Sequence, residues 1–214
     1  MSEKDRTIES FEKSAYSGII EAQIWLGTIY YDGIGVQKNY FEAAKWMRMA
    51  ADQGNAVAQF SLGRMYHEGQ GLQQNFAEAA KWYLKAAVQG DVDAQVELGG
   101  MYYSGKGVQQ SLAEAAKWYR KAADKGDSRA QAVIGAMHYD GVGVQKNYFE
   151  AAKWMRKAAD QGLAIAQTTL GGMYRDGLGL RQNYKIAKEY FGKACDNGDN
   201  KGCEEYAKLN TAGY

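Results

Sequence analysis

The chain has 214 residues, 46% of them apolar and 24% charged, with 26 Lys and Arg against 25 Asp and Glu for a formal net charge of +1. That balance excludes a disordered chain, and a length of this order buries roughly 70% of the unfolded surface, enough to fold without metal or disulfide staples. A net charge so close to zero supplies no global field to select nucleic acid or an anionic membrane as partner.

Met1-Ser2-Glu3-Lys4-Asp5-Arg6 is charged and runs into Ile8-Glu9-Ser10-Phe11 without an apolar core segment, which argues against a secretory signal. No run approaches the ~18 consecutive apolar residues of a transmembrane helix, so no membrane insertion is expected. As written, the chain reads as cytoplasmic, or as periplasmic or secreted if a leader has been removed. Residues 4 to 17 place Ser14-Ala15 and Gly18 in phase with Ala50-Ala51 and Gly54, and so predict an opening helix within residues 1–21.

From residue 22 one pattern recurs. The pair Ala-Gln stands at Ala22-Gln23, Ala58-Gln59, Ala94-Gln95, Ala130-Gln131 and Ala166-Gln167, a constant step of 36 residues. The same step joins Trp46, Trp82, Trp118, Trp154 and Tyr190, and it places five copies in residues 22–201. Residues 35–54 and 143–162 are identical except that Met49 becomes Lys157, the mark of a segmental duplication.

Within a copy, Ala22 to Tyr31 and Tyr40 to Gln53 carry apolar residues at helical spacing, while Asp32 to Asn39 does not; the prediction is helix A, loop, helix B. Asn39, Asn75, Ser111 and Asn147 stand three residues before Glu42, Glu78, Glu114 and Glu150, the spacing of a capping box. Gly54 and its equivalents supply the left-handed residue that ends helix B, and Asn55, Asp91, Asp127 and Asp199 are placed to cap the next helix A.

The loop glycines, Gly33 and Gly35 with their repeats, follow no strand and complete no P-loop, so they read as a bend between helices. One of each pair is expected at positive φ, and the other at a close chain approach. Glycines inside helix A (Gly27, Gly63, Gly99, Gly135, Gly171) and the alanine pairs of helix B imply close packing of helices. The repeated Trp reads as core or seam, and Lys45, Lys81, Lys117 and Lys153 as a solvated edge paired with the capping glutamates. Residues 202–214 add a last A-type helix and tail, making twelve helices in all.

Taken together, Ala-Gln, Leu-Gly-x-Met-Tyr, Gly-x-Gly-Val, Glu-Ala-Ala-Lys-Trp and Lys-Ala-Ala-x-x-Gly resemble the Sel1-like repeat, a relative of the tetratricopeptide repeat. The family often carries a proline after the loop valine, where this chain has Gln37, Gln73, Gln109, Gln145 and Arg181. The resemblance implies an all-α, right-handed α/α superhelical solenoid, one continuous domain with the A helices on its concave face. It also implies a protein-protein interaction scaffold or adaptor without cofactors. Two other roles known among such proteins are an immunity protein that neutralises a secreted antibacterial effector, and weak β-lactam hydrolysis or penicillin binding in cysteine-rich members.

Catalytic signals are sparse. Ser10-Phe11-Glu12-Lys13 is a Ser-x-x-Lys without its companion triplets. His67 and His138 lie one residue short of two periods apart, on different faces of different A helices, and no His-Glu-x-x-His or Cys-x-x-Cys is present, so neither a catalytic residue nor a metal is expected. Cys195 stands where other copies have Ala, and Cys203 where they have the Gln of Ala-Gln. By analogy with the cysteine-rich relatives they are expected to bond across the turn from helix B to helix A; in the cytosol they would be two reduced thiols.

If packing positions recur and binding positions vary, the recognition surface lies where helix A differs among copies. One such position reads Trp25, Ser61, Glu97, Val133, Thr169, and the next turn reads Thr28, Arg64, Gly100, Ala136, Gly172. Beyond them come Tyr31, His67, Tyr103, Tyr139 and Arg175, then Asp32, Glu68, Ser104, Asp140 and Asp176. A surface rich in Tyr, Arg and carboxylate fits a peptide or protein partner, and Glu68, Asp140 and Asp176 would suit a basic one. A monomer is expected.

Overall fold

The computed structural model describes residues 3–214, with side chains from Ile8 onward; Met1 and Ser2 of the expected opening segment lie outside the described residues. Among the described residues there are twelve α-helices and no strand: α1 Glu3–Tyr16, α2 Ile20–Asp32, α3 Tyr40–Asp52, α4 Ala56–Glu68, α5 Phe76–Gln89 and α6 Val92–Ser104. They continue as α7 Leu112–Asp124, α8 Ser128–Asp140, α9 Tyr148–Asp160, α10 Ala164–Asp176, α11 Tyr184–Asp196 and α12 Asn200–Thr211. The chain divides into two compact units, Met1–Gln110 with α1 to α6 and Ser111–Tyr214 with α7 to α12. Within each unit, helices adjacent in sequence pack as antiparallel neighbours, giving the helical-repeat architecture of a solenoid.

The helix ends follow from their residues. Asn39, Asn75, Ser111 and Asn147 accept a hydrogen bond from the backbone N–H of Glu42, Glu78, Glu114 and Glu150, satisfying an otherwise orphaned donor. The reciprocal half of the capping box is not used. The N–H of Asn39 donates instead to the carbonyl of Tyr30 at 2.8 Å, that of Asn147 to His138 at 2.8 Å, and the glutamates turn outward to Lys45, Lys81, Lys117 and Lys153. Asn55, Asp91, Asp127 and Asp199 cap α4, α6, α8 and α12, whereas α2 and α10, which begin after Ile19 and Leu163, have no side-chain cap.

Both loop glycines adopt positive φ, Gly69 at 74° and Gly71 at 70°, and the second also carries the close approach. A Cβ on Gly71 would sit 2.1 Å from the Tyr40 carbonyl oxygen, and one on Gly179 would sit 2.2 Å from that of Tyr148. The loops at Gly71, Gly107, Gly143 and Gly179 therefore rest on the first turn of helix B in the preceding copy, a contact only glycine allows, while a Cβ on Gly35 would meet nothing within 4 Å. The helix A glycines face a large side chain of their own helix B partner: Gly63 meets Tyr83, and Gly171 meets Phe191. Trp46, Trp82, Trp118 and Trp154 are buried, with Trp82 packed into the alanine-rich core of α3 and α4.

The repeated Ala-Gln pair does more than mark the period. Gln59 is 5% exposed; its Nε2 donates to the Ala51 carbonyl eight residues back at 3.1 Å, and its Oε1 accepts from Gln89 Nε2, thirty residues on, at 2.8 Å. Gln23 with Gln53, Gln131 with Gln161 and Gln167 with Asn197 repeat the clamp. A buried amide with both ends satisfied fixes each helix A against the helix B before it and the end of the helix B after it. In the last turn the clamp is covalent: Cys203 and Cys195, also eight residues apart, form a disulfide with Cα atoms 4.5 Å apart.

Candidate functional site

The recurrence of buried Ala, Gln, Leu (Ile134 in α8) and Gly on each helix A leaves one outward stripe, which on α2 is Glu21, Trp25, Thr28 and Asp32 and on α4 is Val57, Ser61, Arg64 and Glu68. In the first unit this stripe brings several of the expected residues together. Thr28, Tyr31 and Arg64 line one groove between α2 and α4, joined by Asp32 and Ser61 and floored by Met47 and Met65; its volume is about 120 Å³. The Arg64 guanidinium lies over the Tyr31 ring, 5.1 Å from its centroid. Tyr31 is itself held by a hydrogen bond from its hydroxyl to Gln70 Oε1 and by edge-on packing against Tyr40.

The remaining residues of the first unit are more dispersed. Trp25, 37% exposed, stacks on Phe11 of α1 with centroids 3.9 Å apart, and Tyr103 is exposed at the end of α6. His67 sits half-buried against Phe76 and Tyr83, with Lys106 Nζ 3.5 Å from its Nε2. Glu97 and Glu68 flank Tyr83. Burial is the main cause that pushes the Tyr83 phenol above its usual range, the two carboxylates push it further, and Arg64 opposes them.

In the second unit, Tyr139 packs edge-on against Tyr148 and Asp140 is exposed. Arg175 is engaged within the protein: it pairs with Asp176 at 2.8 Å and with Glu205 of α12, and this holds α12 to α10. The hydrogen bond to Arg175 holds Asp176 below the usual carboxylate range despite partial burial, and Lys208 together with Arg175 does the same for Glu205.

Ser10 and Lys13 are exposed on α1, and no group of three or more His, Cys, Asp and Glu among the described residues is placed to hold a metal ion. No helix among them is long and apolar enough to cross a membrane. The contribution of Gln70 is not evident from helix A alone. Its signal is a polar amide at a loop position where the other copies have Ile34, Lys106, Val142 and Leu178.

Comparison with known proteins bears on the family and the fold. The family profile described as Sel1 repeat matches residues 20–55, 56–91, 92–127, 128–163 and 164–199. Among solved structures, the chain is similar to c5321, a protective antigen of uropathogenic Escherichia coli with an SLR fold, at 37% identity and TM-score 0.94, over 97% of this chain and 44% of the antigen. The chain thus spans less than half of that protein's length. It is also similar to a Sel1 repeat protein of Oxalobacter formigenes (33% identity, TM-score 0.84, 92% of this chain and 87% of that one). An immunity protein of Pseudomonas aeruginosa, Pa5087, shares the fold at 20% identity and TM-score 0.50, over 92% and 75% of the two chains. Among curated proteins, no sequence matches the chain.

Proposed function

The chain belongs to the Sel1 repeat family, and from that premise we propose that it is a non-catalytic scaffold that binds a protein or peptide along the solvent-facing stripe of its A helices. The observation that carries this reading is the split between invariant and variable positions. Ala, Gln and Gly recur where helices touch, with Leu or Ile134 between them, while Trp25, Ser61, Arg64 and Glu97 differ copy by copy along the outward stripe. A rigid frame that repeats and a surface that does not is the economy of a recognition solenoid.

The groove around Arg64 is the centre of this surface in the first unit, with Trp25 and Tyr103 as exposed aromatic anchors. Arg175 serves the frame instead, since its charge is already matched by Asp176 and Glu205. The helices α1 and α12 close the two ends of the array in this reading. The Cys195–Cys203 disulfide supports an oxidising, extracytoplasmic compartment, where such a bond persists.

The test is affinity capture with the intact chain and with the Arg64→Ala/Tyr103→Ala variant, compared by quantitative mass spectrometry after circular dichroism shows equal helicity. The reading expects a specific partner to be lost with the variant. Equal capture by both proteins places recognition on another surface and overturns it.

A further inference from the structure

The turn from α11 to α12 departs from its equivalents at one reactive position. Earlier copies place Gln53, Gln89, Lys125 and Gln161 before the turn glycine, whereas this one has Asn197 before Gly198, the only Asn-Gly step in the chain. An asparagine Cγ lies within five-membered-ring reach of the next backbone nitrogen, and a following glycine has no side chain to block that approach; glutamine closes only the slower six-membered ring. Both residues are exposed to water, yet the folded turn holds them out of reaction. Asn197 has ψ of 13°, which turns the Gly198 nitrogen toward the Asn197 backbone nitrogen and away from its side chain. The Gly198 N–H donates to the Cys195 carbonyl at 2.9 Å, and Asn197 Nδ2 donates to Gln167 Oε1 at 3.0 Å. The Cys195–Cys203 disulfide closes the loop that contains both residues.

We propose that Asn197 is a site of spontaneous deamidation gated by this disulfide. In the opened turn the Gly198 nitrogen gives up its proton and attacks Asn197 Cγ; the N–Cγ bond forms, the Cγ–Nδ2 bond breaks, and Nδ2 leaves with the proton as ammonia. The succinimide so formed takes up one water at either of its carbonyls and opens to aspartate or to isoaspartate, with no change of oxidation state. Ring closure requires the Asn197–Gly198 peptide to rotate and release the Cys195 carbonyl, so the reaction proceeds through local opening of the turn. A cross-link that restricts opening slows the reaction in proportion, and reduction releases it. The product breaks the last amide clamp, because a carboxylate has no proton to offer Gln167 Oε1 and joins Asp196 and Asp199 in the same turn. The protein thereby keeps an irreversible record of time spent reduced.

The test incubates the intact chain at mildly alkaline pH, oxidised or held reduced by a phosphine, and follows aspartate and isoaspartate at position 197 by peptide mass spectrometry. The urea-denatured chain gives the unprotected rate. Conversion in the reduced protein should be about 70-fold faster than in the oxidised one. The Cys195→Ala/Cys203→Ala variant should convert at the reduced rate whether or not phosphine is present. Gln167→Ala, which frees Nδ2, should speed conversion of the oxidised protein about fivefold, and Asn197→Gln should abolish it in both states. Hydrogen exchange of the α12 amides should quicken in the converted fraction. Equal rates in the oxidised and reduced proteins, no conversion of the reduced protein while the denatured chain converts fully, or unchanged α12 exchange after conversion overturns the proposal.

Discussion

The disulfide occupies the place of a glutamine clamp, and this equivalence can be measured. Gln59 reaches the carbonyl of Ala51 and Gln167 that of Ala159, each eight residues back and each at 3.1 Å; Cys203 and Cys195 bridge the same two positions covalently. Closing so short a loop contributes about 2.5 kcal/mol through lost freedom of the unfolded chain, whereas one amide hydrogen bond contributes about 1 kcal/mol. Native-state hydrogen exchange of the α12 amides reads this local stability. Reduction of the disulfide should lower protection of α12 about 70-fold. The variant Cys195→Ala/Cys203→Gln should ignore reductant and protect α12 about fivefold better than Cys195→Ala/Cys203→Ala. Unchanged protection on reduction, or equal protection in the two variants, would refute the reasoning.

The loop glycines give a paired test. Gly35→Ala meets nothing within 4 Å and should cost only the positive-φ penalty of about 1 kcal/mol, whereas Gly71→Ala drives a Cβ into the Tyr40 carbonyl and should cost at least about 2 kcal/mol more in urea unfolding. Gln131→Ala strips the Ala123 carbonyl and the Gln161 amide of a partner and should destabilise by about 1–3 kcal/mol, whereas Gln37→Ala, on an exposed loop, should change little. Asp176 and Glu205 are held below the usual carboxylate range when folded, so their contribution is complete above the ordinary carboxylate pKa of about 4 and is lost as pH falls through the lower folded values. Protection of α12 should therefore fall in acid, and Arg175→Met should flatten that dependence.

Much of the architecture is legible because one step of 36 residues aligns every packing position with its equivalents. The predicted helix B, Tyr40 to Gln53, meets α3 to within a residue, since Asn39 and Gly54 carry their boundary chemistry locally. Helix A starts earlier than the predicted Ala22, at Ile20 in α2, where Ile20 packs half-buried against the core. The clamp is hidden in plain view. Ala-Gln marks the repeat, but the significance of a buried amide appears only with Gln53, Gln89, Gln161 and Asn197, thirty residues further on. The site is less legible for the same reason. Arg64 and Arg175 are both variable arginines of helix A, yet Arg175 finds Glu205 on α12 while Arg64 finds only the face of Tyr31. Long-range pairing separates a structural arginine from an unsatisfied one, and periodicity does not encode it.

The division of labour between helix A and helix B is tested most directly by site-specific photo-crosslinking. A benzoylphenylalanine placed at Ser61, on the solvent-facing stripe of α4, is compared with one at Lys81, exposed on α5, in cells that produce the chain. Crosslinks to one discrete protein from Ser61, absent from Lys81 and lost with Arg64→Ala, are the expected result. A discrete adduct from Lys81 with none from Ser61 would put recognition on the B helices and contradict the account.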